Sequence, residues 1–294
     1  MPNGVTTSGS LADSLPIILD SARIRREYPP VVSKLSEMHK LDANTGLSWE
    51  EIELSRLTAQ SVTETTVLEN AQEVTDILNT YTPTISGITT IVTDRVYQRI
   101  TKAAVAQMGG LAQEAIERKK DLDGLTSLAS ATNSQPGAGS TMSSGVVSAH
   151  VANIQGNTTE AATGPIYTLL HAFALKDIQD EIVSGVGTYA IPAGLTQDVF
   201  RDGFRGSLFN TEVYLDNNIV IDASDDGKGA VFAKMGHLYV QGMGPRKESK
   251  RRPEYGGGAD QIWLYDEYCF GERLSNGSSV MVRVVYSDLT APTV

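Results

Sequence analysis

Residues 84–121 read TISGITTIVTDRVYQRITKAAVAQMGGLAQEAIERKKD, and the apolar period changes within them. Ile85, Ile88, Ile91 and Val92 stand among threonines, and β-branched side chains of this kind pack well on a pleated surface. From Asp94 the spacing widens. Val96, Ile100, Ala104, Met108, Leu111 and Ala115 recur every three or four residues, which is one face of a helix. Asp94 suits an N-cap. The helix expected over 94–120 would run about 40 Å at ~1.5 Å per residue. Gly109 and Gly110 in its middle cost about 2 kcal/mol relative to alanine, so the pair is expected at a bend or a close packing contact. The ERKKD run at 117–121 is expected to end the helix, its cations placed where the C-terminal dipole favours them.

On the N-terminal side, residues 47–70 read LSWEEIELSRLTAQSVTETTVLEN. Ile52 and Leu54 alternate with Glu51 and Glu53, and Thr63, Thr65, Thr66 and Val67 favour extended backbone. These stretches predict a projecting hairpin over 46–80. Too few apolar residues line either face to support it alone, because an isolated two-stranded ribbon is marginal in water. Residues 1–45 form an arm. It starts small and polar, and Pro29–Pro30 interrupts its RIRREYPPVVSKL run, removing two amide donors.

On the C-terminal side, ATNSQPGAGSTMSSG (131–145) is a flexible connection. A short helix is expected over 146–154, a strand over 165–173, a helix over 175–182, and a loop over 185–194. Strands follow at 211–221 and 229–241, and two more at 261–270 and 279–286. Between them lies GPRKESKRRPEYGGG (244–258), a basic loop with five cations from Arg246 to Arg252 and then three glycines. The class is α+β, with no internal repeat.

Composition limits what such a loop can do. The chain has 294 residues, net charge −11, 40% hydrophobic and 20% charged residues. That is an ordinary globular balance and a poor one for general polyanion binding, which needs a positive surface. The single cysteine, Cys269, sits in an apolar run and excludes an internal disulfide framework. The N-terminus lacks the basic start and apolar core of a signal peptide. No stretch approaches the ~20 apolar residues that span a bilayer.

Motifs for chemistry do not complete. Asp222, Ser224, Asp226 and Gly227 fit the start of a calcium loop, but its twelfth position is Ala233 where a glutamate is needed. A tight acidic turn fits better. The GxG pairs at 185–187 and 242–244 lack the third glycine of a dinucleotide fingerprint. Lys228 does not follow phosphate-loop spacing. His39, His150, His171 and His237 have no ligand partner at helical spacing and read as structural. No residue is assigned to catalysis, metal or cofactor.

The order of parts carries more information than any motif. LSRLTAQSVTETTVLENAQEV (54–74) resembles the extended loop of tailed-phage capsid proteins with the Hong Kong 97-type fold. The 84–121 stretch resembles their peripheral strand and spine helix. PIYTLLHAFALKDIQDEI (165–182) and GFRGSLFNTEVYLDNNIV (203–220) resemble axial-domain elements. The 230–271 stretch resembles the closing strands. The resemblance implies an N-terminal arm (1–45), an extended loop (46–80), a peripheral domain with spine helix (81–130), an axial domain (131–255) and closing strands of the peripheral domain (256–294). It implies a structural major capsid protein, not an enzyme, assembling as pentamers and hexamers around double-stranded DNA without sequence-specific contact. A separate scaffolding protein, a portal and a decoration protein would be its partners, with no membrane. It would be made in the bacterial host cytoplasm and reside in the virion. Another virion protein of related fold, or a soluble nucleotide-binding enzyme, are the alternatives.

One departure is plain: no lysine lies between Lys40 and Lys102, so the extended loop lacks the amine that cross-linked members use. On this reading the basic loop docks against a neighbouring copy. Trp49, Glu50 and Glu53 of one subunit would face Arg246, Lys250, Arg251 and Arg252 of another.

Overall fold

The computed structural model describes residues 5–6, 28–42, 44, 46–65, 71–99, 102–184 and 207–292. Most of the arm and the loop expected over 185–194 lie outside them.

The opening stretch folds as its periods require. A strand, Thr84–Thr93 (β5), runs into helices Asp94–Arg99 (α2) and Lys102–Ala129 (α3). Two expectations need correction. The ERKKD run does not end the helix, which continues to Ala129 because Leu125 and Leu128 extend its apolar face into the core. Gly109 and Gly110 mark neither a bend nor a close contact: both are exposed, the helix runs through them, and an added Cβ at either would meet nothing within 4 Å. The close approach is at Gly124 instead, where a Cβ would sit 2.7 Å from Val32 Cγ1. This lets the short helix Val32–Leu35 (α1) lie against α3. Asp94 is the first helical residue, and its carboxylate turns to Arg251.

Two six-stranded sheets flank this helix. The first has the order β1-β5-β13-β11-β2, with β12 also on β13. Here β1 is Val5–Thr6, β2 Glu37–Lys40, β11 His237–Gln241, β12 Arg246–Arg252 and β13 Ala259–Glu272. The second has the order β6-β14-β10-β7-β9-β8. Its members are β6 Ser134–Pro136, β7 Ile166–Leu170, β8 Ser207–Leu208, β9 Thr211–Leu215, β10 Asp226–Ala233 and β14 Val282–Asp288. Helices Ser144–Gln155 (α4) and Ala172–Ser184 (α5) complete the second layer. Its core runs through Phe232, Leu169, Leu170, Ile154, Ile178 and Met281.

Sheet membership cuts across the sequence boundaries. The single strand expected over 229–241 is two strands, split by a 3-10 turn at Lys234–Gly236, and each half joins a different sheet. Thus β11 and β12, expected in the axial segment, pair in the first sheet. The 279–286 strand, expected among the peripheral closing strands, is β14 and pairs with β10 along Asp226–Phe232. The connection at 131–145 is partly a strand, β6, laid parallel on Val284–Tyr286. The sequence reading failed here because an apolar strand carries no mark of which sheet will receive it.

Candidate functional site

The hairpin stands apart as a two-stranded ribbon, Trp49–Leu54 (β3) against Asp76–Tyr81 (β4), with Trp49 opposite Tyr81 and Leu54 opposite Asp76. The return strand is not the threonine-rich 63–67 stretch: residues 55–63 have no strand pairing, and 64–65 form a turn. Ser55 and Thr75 extend the ladder by one step through Ser55 N–H to Thr75 O at 2.8 Å. Beyond it, every described loop residue is exposed.

The burial of β3 alternates. Trp49, Glu51 and Glu53 face the body of the protein. Trp49 stacks on His39 at 4.6 Å between ring centroids. Glu51 accepts from Arg273 Nε at 2.8 Å and from Nη2 at 2.7 Å. Arg273 also donates to Glu37 and to the Met235 carbonyl. This bidentate donor holds the Glu51 carboxyl below the usual carboxylate range. Glu53 accepts the Asn276 backbone N–H at 3.0 Å. Tyr81 lays its ring on Gly271 and donates to the Glu272 carbonyl at 3.0 Å. Arg56, just past β3, donates to the Thr158 carbonyl.

The other face carries Glu50, Ile52 and Leu54, with Leu78 directly opposite Ile52. Ile52 and Leu54 are 63% and 65% exposed, and Leu78 is 56%. An apolar row on a ribbon that its own chain leaves open is the feature most in need of a partner.

The basic stretch is a strand, not a loop: β12 pairs antiparallel with β13 from Arg246–Tyr265 to Arg252–Ala259. The bend belongs to residues 253–258, where Gly257 and Gly258 take positive φ. Arg251 is tied within its own chain to Asp94 and, at 3.2 Å, to Asp260. Arg252 donates to Gln261 at 2.7 Å and pairs with Glu254 at 3.0 Å. Arg246 lies over the Tyr265 ring at 5.4 Å and 3.8 Å from Glu248. Of the residues expected to meet across subunits, Trp49, Glu53, Arg246, Arg251 and Arg252 therefore have partners in their own chain. Glu50 and Lys250 are exposed. The structure brings none of the acidic set onto the basic set within one chain.

Sequence reasoning missed Arg273, Glu37 and Glu51 as the joint of the hairpin. The missed signal was the alternation of β3 itself: one face acidic and aromatic, the other apolar apart from Glu50.

Among the described residues no cluster of three or more His, Cys, Asp or Glu side chains could hold a metal ion. Asp222 Oδ1 accepts from Ser224 N at 2.8 Å and Asp226 N at 3.0 Å, forming the acidic turn expected there. Burial pushes the Cys269 thiol up to about 11, the state of an inert thiol. No helix of the described residues is long and apolar enough to cross a membrane.

No family model and no curated protein sequence matches the chain. Solved structures do. The capsid of cyanophage P-SCSP1u superposes with a TM-score of 0.70 at 9% identity, covering 96% of this chain and 95% of that one. A chain of Mycobacterium phage Che8 gives 0.68 at 14%, covering 94% and 98%. An encapsulin of Synechococcus elongatus gives 0.61 at 9%, covering 99% of both. Hairpin, long helix and two sheets thus combine in this chain as the Hong Kong 97-type capsid fold.

Proposed function

We propose that this chain is a structural shell protein, the major capsid protein of a tailed bacteriophage. The carrying observation is likeness over nearly the full length of both chains to phage capsid structures. On this reading copies associate as pentamers and hexamers into a closed head around double-stranded DNA, and the chain catalyses nothing. Scaffolding, portal and decoration proteins are its further partners, the virion its place, and the bacterial cytoplasm its site of synthesis. The open hairpin face supports the same reading, since Ile52, Leu54 and Leu78 need cover that another copy can supply.

The inter-subunit contact is proposed in a narrower form. Glu50 on the outer hairpin face meets Arg246 and Lys250 of a neighbour, beside the apolar row. Trp49, Glu53, Arg251 and Arg252 contribute by holding the two partners in shape.

Electron microscopy of the expressed protein, with and without a scaffolding protein, is the test. Closed shells or five- and six-membered rings are expected, and a monodisperse small oligomer under all conditions would sink the reading. The encapsulin likeness favours a second reading, a cellular compartment. Shells isolated from the native source that contain protein and no genome would select it.

A further inference from the structure

Asp121 of α3 and Asp216, in the turn after β9, are both fully buried. Each is drawn into contacts from a different part of the chain. Asp121 Oδ1 accepts the backbone N–H groups of Val31 and Val32 at 2.9 and 3.0 Å, the entry of α1. Asp121 Oδ2 accepts from Asn218 Nδ2 at 2.8 Å. Asp216 Oδ1 accepts the Asn218 backbone N–H at 2.9 Å. Asp216 Oδ2 meets no N–H or O–H donor among the described residues, and the two buried carboxyls converge on Asn218, Asp216 at its backbone N–H and Asp121 at its side-chain amide. Two carboxylates have no hydrogen to place between them. One must be an acid, and Asp121, with three donors already on it, is the better anion.

We propose that Asp216 is a carboxylic acid that donates its proton to Asp121, and that this shared proton is a clasp holding residues 28–36 onto the long helix, released as the pH rises. The clasp joins three segments distant in sequence: the strap 28–36, α3, and the 216–218 turn. Tyr28 adds a parallel contact, donating to the Leu215 carbonyl at 2.9 Å. Loss of the proton sets two buried anions side by side, which a low-dielectric site does not tolerate.

Among the described residues, nothing around the pair gives it a compensating charge. Lys120, next along α3, is taken by Asp266 at 2.8 Å and Glu117 at 3.4 Å. Asp123 is held by Lys119 and accepts from Tyr268. The strap offers amides and the turn offers the neutral Asn218. On the β7 side Asp216 N–H bonds Leu170 O, and the next residue, His171, accepts the Phe173 N–H on its imidazole. Burial lowers both His171 and His237 below their ordinary values, so both are neutral and silent above pH 6.5. Burial first, and the Asp121 carboxyl second, push Asp216 up to about 8. The sign follows. Closed protein holds a proton that the open form, with ordinary carboxyls, has released. Closure is therefore strongest at low pH and weakens until the pH passes about 8, where the dependence levels off.

The experiment is amide hydrogen exchange of the 28–36 segment between pH 6.5 and 9, corrected for the intrinsic rate, in the full chain and in Asp216→Asn. The asparagine amide donates to Asp121 at every pH. In the unsubstituted chain the opening constant should rise by up to about tenfold per pH unit before levelling, and in Asp216→Asn it should stay flat. A flat profile in the unsubstituted chain, or a parallel rise in the variant, overturns the proposal. Should the variant fail to fold, the aspartate carboxyl carbons of the unsubstituted protein decide by NMR. One must titrate above pH 6.5, and if all have finished by pH 5 there is no shared proton.

Discussion

Arg273 grips Glu51 through two parallel hydrogen bonds, Nε to Oε2 at 2.8 Å and Nη2 to Oε1 at 2.7 Å. The two residues lie 222 positions apart, at the end of β13 and in the first strand of the hairpin. This pair, half-buried and shared with Glu37, ties the hairpin to the body.

Removing either partner should loosen the hairpin more than the core. Arg273→Ala removes the guanidinium from the partly buried Glu51 and Glu37 carboxylates, leaving Glu51 only the Trp49 Nε1 donor at 3.1 Å and Glu37 beside His39, a loss of about 1–3 kcal/mol. Arg273→Lys should recover little, because an ammonium cannot reproduce the fork. Hydrogen exchange across 49–54 should rise in both variants while exchange across 226–233 stays unchanged. Equal loss in both segments would mean that the pair supports the whole fold and not the joint.

The Tyr81 ring takes the place that a side chain at Gly271 would need, since a Cβ there would stand 2.2 Å from Tyr81 Cδ1. Gly271→Ala should cost about 1–3 kcal/mol as an overpacked contact. Combined with Tyr81→Ala it should cost less than the two single losses added together, because the second substitution removes the clash. Thermal unfolding of the four proteins measures this, and strict additivity would show that the ring does not rest there.

His237 is fully buried between two serines. Ser36 Oγ donates to the Val32 carbonyl at 2.8 Å and lies 2.7 Å from His237 Nδ1, so Nδ1 carries the proton and Nε2 accepts from Ser127 at 3.2 Å. Burial pushes the imidazole down to about 3. The unfolded chain, titrating near 6.5, binds the proton first. Stability is whole above pH 6.5 and is lost as the pH falls from 6.5 toward 3, by on the order of a few kcal/mol. His237→Gln should be less stable at pH 7 and should fall less steeply between pH 6.5 and 4. Parallel acid limbs for the two proteins would contradict this.

The lysine-free span from 41 to 101 predicts a shell without isopeptide links through the hairpin. Such a bond needs a lysine amine as nucleophile. Boiled particles should run as one band near 31.5 kDa on a denaturing gel, and a ladder of covalent multimers would refute it.

Much of the fold was legible because its elements are locally coherent. The threonine-isoleucine strand and the helix behind it follow from spacing alone, as do α4, β7 and α5. Three features were not. The helix outran its cationic run, because Lys120 is drawn inward to Asp266 and does not mark an end. The split of 229–241 between two sheets depends on a single turn at Lys234–Gly236, whose residues look like any others. The basic stretch looked like a loop, because cations and no apolar alternation suggest solvent, yet they also suit an edge strand. Of the candidate site, only the charge was legible. An acidic hairpin and a basic segment were visible, but pairwise partners such as Arg251 with Asp94 join residues 157 positions apart, and no local pattern announces them.

The intrachain partners decide which charge reversal is informative. Arg251 already holds Asp94 and Asp260, so Arg251→Glu sets three carboxylates together and should lower the melting temperature of the isolated subunit, whatever it does to assembly. Arg246 and Lys250 are exposed on β12, where Arg246 lies 3.8 Å from Glu248 and over the Tyr265 ring at 5.4 Å. Reversing both to glutamate should leave the subunit folded and impair association. Glu50 lies on the outer hairpin face and its carboxylate has no hydrogen bond or ion pair among the described residues, so Glu50→Lys in the same protein should partly restore association. Single exposed pairs contribute only ~0–1 kcal/mol. The effect should come from repetition around a ring and from orientation, since complementary charge sets register more than affinity. It should be largest at low salt and fade as the screening length shrinks toward ~8 Å near physiological ionic strength. Light scattering and microscopy across a salt series are the measurements. If Arg246→Glu with Lys250→Glu assembles at low salt as well as the parent, β12 is a solvated edge and the apolar row of Ile52, Leu54 and Leu78 carries the contact alone.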